Sequence, residues 1–211
     1  KTSTAKTKQR SSLRHAMSPK VLCRKDKSAG VGLRAVLAAQ SEGATAVPIP
    51  SPPNDPEAVK ATSDFTLDSF TASDAWELGH LLYARLLPFS AEKPTLVSIA
   101  SANGQHVLFQ AAVGAGTSPD NDAWVQRKRN SVLRFGASSW FLQCKHQGDE
   151  EAFRRKFGMS EDAAGKYAIH GGGVPIRVDG VEGIVAVVVV SGLKQHEDHG
   201  VIVDVINNNW E

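Results

Sequence analysis

Two histidine-bearing corners carry the residues best suited to chemistry. One reads His170-Gly171-Gly172-Gly173, an imidazole beside three glycines whose missing Cβ atoms let backbone come close to another group. The other reads His196-Glu197-Asp198-His199, with two imidazoles around two carboxylates. His170, Glu197 and His199 are a candidate mononuclear metal set if the glycine loop folds over that segment. The two acids have a second explanation, because carboxylates in a first helical turn favour the free N–H groups there. His196 and His199 stand three apart, not the four of a zinc-protease helix, and Ser191-Gly192 lacks the flanking glycines of a nucleophile elbow. The triple glycine has no P-loop lysine.

A third group is basic. Arg127, Lys128, Arg129 and Arg134 fall on one predicted helix that begins near Trp124, and Arg127, Ser131, Arg134 and Ser138 share one face by their spacing. Such a patch can clamp an anion, or it can be a solvated or subunit-facing surface paired with acids.

The elements between these groups must bring them together. Ile184 to Val190, β-branched at every position but Ala186, is the richest such stretch in the chain and predicts a strand buried on both faces, the centre of a sheet. Val174 to Val178 precedes it, and Asp179-Gly180 with Glu182-Gly183 supplies the turn of an antiparallel hairpin. His170 and the His196–His199 segment therefore sit at the two ends of one hairpin. Thr95 to Ala100 and His106 to Val113 predict a second hairpin around Asn103-Gly104. Helices are expected from a Ser73 cap to Leu87, from Asp120 or Asp122 through Trp124 to Gly136, from Asp149, from Ser160, and from about Gln195 to Asn208. His80 and His106 read as structural.

The hairpin and the Trp124 helix also carry a resemblance. The run GGGVPIRVDG, an apolar strand, VSGL and an EDH helix start resemble the haem-degrading-domain superfamily typified by the GlcG and HbpS proteins. Together with Trp124, Arg127, Lys128, Asn130, Val132, Arg134, Phe135, Gly136, Ser138 and Ser139, they are most similar to its fungal and bacterial branch of unknown function. The resemblance spans roughly residues 64 to 208. It implies an α/β (α+β) domain, a profilin-like antiparallel sheet flanked by helices, assembled as a homo-oligomer. It also implies haem or iron as a cofactor, with His170 or His199 as axial ligand and Arg127, Arg134 or Arg177 near the propionates.

Composition sets the outer limits. The 211 residues are 41% hydrophobic and 22% charged, ordinary for a globular chain. The net charge of +2 conceals an asymmetry: residues 1 to 60 hold eleven Lys or Arg against four acids, and residues 61 to 211 hold thirteen against eighteen. Residues 1 to 60 thus read as a basic, proline-rich extension and linker, and 61 to 211 as the domain. Residues 1 to 34 have the composition of an organellar transit segment, of an arm that binds RNA or a protein partner, or of a solvated tail. Localisation follows that choice: matrix or stroma in the first case, cytoplasm otherwise. Cys23 and Cys144 show no metal or redox spacing, and no apolar run reaches the roughly 18 residues of a membrane span.

Three functional classes follow. The chain is a binding module for haem, iron or a small anionic ligand at the Gly171-Gly172-Gly173 loop with His170, Arg127, Arg134 and Arg177. Alternatively it is an adaptor subunit docking through its basic arm, or a haem-degrading enzyme.

Overall fold

A computed structural model describes residues 20–41, 44–103 and 106–211. Six strands form one sheet: β1 (Val21–Leu22), β2 (Phe65–Leu67), β3 (Thr95–Ser101), β4 (Val107–Val113), β5 (Gly173–Val178) and β6 (Ala186–Ser191), in the order β1-β2-β5-β6-β3-β4. The Ile184–Val190 run forms the interior strand expected of it from Ala186 on, every residue of β6 being buried, while Ile184 and Val185 precede the strand and are half-buried. β6 pairs antiparallel with β5 and with β3, and β3 with β4. The Asn103-Gly104 turn lies partly outside the described residues. The sheet is not wholly antiparallel, since β1 and β2 add two parallel pairings at one edge. Strands of two and three residues are too short to show alternation, which is why the sequence hid them.

Eight helices flank the sheet among the described residues: α1 (Val31–Ala39), α2 (Pro56–Ser63), α3 (Ala72–Leu86), α4 (Pro119–Phe135), α5 (Ser139–Lys145), α6 (Glu150–Lys156), α7 (Glu161–Ala164) and α8 (Gln195–Asn209). On one face Leu78 and Leu82 of α3 and Val201, Ile202, Val205 and Ile206 of α8 pack on Val97, Ile99, Ile176, Val188 and Val190. On the other face Val125 and Val132 of α4 meet Leu96, Val187 and Val189. The period of two along β6 thus sends Val188 and Val190 to one layer and Val187 and Val189 to the other.

Helix starts depart from expectation by short distances. Thr71, not Ser73, caps α3: its hydroxyl accepts from the Asp74 N–H while the Asp74 carboxylate accepts from the Thr71 N–H. Ser118 rather than Asp120 or Asp122 precedes α4, and Pro119 takes its first position, where a missing N–H costs nothing. Asp149 and Ser160 cap α6 and α7.

The segment expected as extension and linker lies on this same body. Arg24 pairs with Asp74 and Lys27 with Asp68, while Lys25 Nζ donates to the Asn207 and Asn208 carbonyls at the end of α8. The proline run is fastened too: Arg85 donates to the Val47 and Pro48 carbonyls, and Trp140 Nε1 to the Pro53 carbonyl. Residues 1–19, which hold the rest of the basic arm, lie outside the described residues.

Candidate functional site

Helix α4 crosses behind the β5–β6 hairpin. Val125, Lys128, Arg129 and Val132 fall at helical spacing on its inner side, and all four are buried. An ammonium on an apolar stripe needs an interior partner. Lys128 Nζ donates to Asp198 Oδ2 at 2.8 Å and to the Val190 carbonyl at 3.0 Å. Asp198, at the start of α8, accepts the Leu193 N–H on its other oxygen. Burial pushes the Asp198 carboxyl up, and the adjacent Lys128 ammonium and the Leu193 and Gly192 N–H groups pull against it.

Glycine makes this junction possible. Gly172 has φ +111°, and a Cβ there would lie 2.4 Å from the Val190 carbonyl oxygen and 2.7 Å from both Asp198 Cβ and Lys128 Nζ. A Cβ on Gly171 would meet the Gln195 carbonyl at 2.3 Å. The triple glycine is therefore a packing surface for the α8 start and the Lys128 head. Gly173 begins β5, its N–H held by Ser139 Oγ.

Above the ion pair opens a cleft of about 340 Å³, walled by Trp124, Leu193 and His170 and floored by Lys128, Asp198 and Ser191. His170 stands at the rim, 39% exposed, its ring edge-on to Trp124 at 4.9 Å. Its Nδ1 is turned inward, 3.3 Å from Glu150 Oε1 but off the line of a hydrogen bond, and Nε2 is the outward nitrogen. Burial lowers the His170 pKa against the upward pull of Glu150; Lys128 and Arg127 add to the lowering. Arg127 lies over the Trp124 ring at 4.4 Å and donates to the Tyr167 carbonyl. Two of the three Lys128 ammonium donors are engaged, by Asp198 and the Val190 carbonyl, and the side chain is 3% exposed.

The predicted site residues do not all converge. His170 and Lys128 line the cleft, while Gly172 packs beneath the Lys128 head and Arg127 lies over the Trp124 ring at the side. Arg134 packs over Phe135 and Tyr167 and reaches Met159 Sδ. Arg177 bonds Asp64 at 2.9 Å and the Gly136 carbonyl at 2.8 Å. The shared face of Arg127, Ser131 and Arg134 is not a solvated surface. It grips the 166–168 connector through carbonyls and a ring, with Ser131 Oγ accepting the Ala168 N–H; Ser138 lies past the end of α4 and caps α5.

The metal set is corrected as well. Among the described residues no three His, Cys, Asp or Glu side chains are gathered as a metal ion requires. Glu197 accepts the Lys194 N–H and pairs with Lys93, a cap as its position in the first turn allowed. His199 is fully buried, stacked near Trp140 at 6.3 Å, with neither ring nitrogen hydrogen-bonded. Burial, with Lys128 nearby, lowers its pKa to about 3, so the ring is neutral. It cannot be reached by a haem iron from the cleft.

A family model described as haem degrading protein HbpS-like matches residues 70–207, which include every wall of this cleft. The chain belongs to the HbpS-like family. A UPF0303 protein of Streptomyces avermitilis is 39% identical over 155 residues, 74% of this chain and 90% of that relative. The UPF0303 protein YBR137W of Saccharomyces cerevisiae is 39% identical over 133 residues, covering 63% of this chain and 71% of its own. The crystal structure of the Ybr137w protein superposes with a TM-score of 0.65 at 35% identity, over 72% of this chain and 84% of that one. The α/β fold of this HbpS-like chain is thus shared with a solved relative. Among the described residues no helix is long and apolar enough to cross a membrane.

Haem, which the family description implies, fits the cleft in part. His170 would offer its imidazole to the haem iron, with Glu150 3.3 Å from Nδ1 but not hydrogen-bonded to it, and Trp124 and Leu193 would supply apolar walls. Of the three arginines expected near propionates, Arg127 alone stands beside the cleft.

Proposed function

We propose that this HbpS-like chain is a non-catalytic binding module whose cleft takes haem, or a smaller planar ligand bearing a hydrogen-bond acceptor. The observation that carries this reading is the outward His170 ring at the rim of a cleft whose floor is a buried Lys128–Asp198 pair. The Lys128 charge is already balanced by Asp198, so the floor favours a carbonyl or other neutral acceptor over a free anion. His170 would hold the iron through Nε2, Trp124 and Leu193 would flank the macrocycle, and Arg127 would meet a propionate. Bound haem supplies the redox-active iron; the chain supplies the ligand and the walls. At about 340 Å³ the cleft is near the small end for ligand pockets, so part of a porphyrin would remain outside it.

Hydrogen exchange of the full chain with and without added haem tests the location. Protection should rise in residues 168–173 and 191–198 and leave β2 unchanged; protection elsewhere, or none, contradicts this reading.

A further inference from the structure

The strap from Val47 to Pro53 reads V-P-I-P-S-P-P and carries no charge. It lies outside residues 70–207, which the family model matches, and none of it lines the cleft. Proline fixes φ at about −65°, and the residue before a proline is held in the extended region. Every position from 47 to 53 is a proline or precedes one. A stretch so constrained takes the polyproline II form, a left-handed helix of about three residues per turn without internal hydrogen bonds.

Exposure along the strap follows that period. Ile49 and Pro52 are half-buried, as is Pro53 where Trp140 meets it, whereas Val47, Pro48, Pro50 and Ser51 are exposed. A helix with three ridges that rests on one of them shows the other two, here Val47 with Pro50 and Pro48 with Ser51. The seat is α8. Gly200 lacks the Cβ that would stand 2.4 Å from the Pro50 carbonyl oxygen and 3.1 Å from Ile49 Cγ2, and Ile49 packs against the α3–α8 core. Arg85 and Trp140 hold the Val47, Pro48 and Pro53 carbonyls. The chain before the strap is fixed too, because Glu77, 4% exposed, accepts the Gly30 and Gly32 N–H groups at 2.7 Å each. Ser51, by contrast, hydrogen-bonds no described residue through side chain or backbone, and neither does the Pro52 carbonyl. Beside them a cavity of about 200 Å³ opens between the strap and α8.

We infer that the strap is a docking element for a partner domain that reads polyproline II in a groove lined by aromatic rings, the two outward ridges entering that groove. Such grooves pack rings against proline faces and exploit a helix formed in advance. The strap supplies exposed proline rings, unpartnered carbonyls at Ser51 and Pro52, and a backbone already ordered, so little conformational entropy is lost on docking. Its outward residues are uncharged, so the reader recognises it by rings and hydrogen-bond donors and not by ion pairs. Docking here is independent of what the His170 cleft binds.

Isotope-labelled SH3, WW and EVH1 domains titrated with the unlabelled full chain decide the matter by their amide shifts. Saturable shifts should appear in the aromatic groove of at least one domain. Val47→Asp and Pro50→Ala should each weaken that binding about tenfold, and Val181→Asp, in the exposed β5–β6 turn, should leave it unchanged. Should Pro50→Ala unseat the strap, read as faster proteolysis within residues 44–53, Val47→Asp decides alone, since that residue is 60% exposed. No groove shift with any of these domains, or undiminished affinity in the folded variants, overturns the inference.

Discussion

Lys128 Nζ lies 2.8 Å from Asp198 Oδ2, and both side chains are 3% exposed. This contact ties the middle of α4 to the first turn of α8 across the end of β6, where the cleft opens. Breaking a buried pair leaves an uncompensated charge, which costs about 3–5 kcal/mol. Lys128→Ala and Asp198→Ala should each lose that much in denaturant unfolding. Asp198→Asn, which keeps an acceptor for the Leu193 N–H, should lose less than Asp198→Ala.

How far the sequence anticipated this site follows from which signals are local. The β-branched run announced β6, the Asp179-Gly180 turn announced the hairpin, and both ends of the cleft were placed by them. By composition Lys128 belongs to a basic patch, although its spacing with Val125 and Val132 puts it on an apolar stripe, the one cue that its partner is interior. Asp198 was hidden because a carboxylate in a first turn already has an explanation in capping, the role its neighbour Glu197 fills. Arg177 and Arg134 join the expected site through the haem resemblance, and their partners Asp64 and Tyr167 are distant in sequence. Glu77 had no local signal, since the N–H groups it binds lie 47 and 45 residues earlier.

Gly172→Ala should be among the most damaging single-methyl changes in the chain. Positive φ strains an L side chain, and three groups occupy the space of its Cβ. Strain and overpacking together should cost about 2–6 kcal/mol, read as a lowered unfolding midpoint.

His199 gives the stability a pH dependence of known sign. Its pKa is about 3 in the folded chain and near 6.5 when unfolded, so between those values the unfolded state binds the extra proton. Its contribution is complete above pH 6.5 and is lost as pH falls toward 3, by about 1.4 kcal/mol per pH unit. Denaturation at pH 6.5, 5.5 and 4.5 should show this slope in the wild type and a shallower one in His199→Leu.

Glu77→Ala should release α1 without unfolding the sheet. Hydrogen bonds to a charged acceptor are worth about 1.5–3 kcal/mol each, and two are removed. Limited proteolysis should cut within residues 20–41 of the variant sooner than in the wild type, while cleavage of β6 is unchanged.

The most direct test of the binding reading is a titration of the full chain with haem followed by absorbance, on wild type, His170→Ala and Trp124→Ala. The account predicts a saturable shift of the haem band in the wild type, abolished in His170→Ala and weakened in Trp124→Ala. An unshifted band in the wild type, or a shift that His170→Ala retains in full, contradicts it.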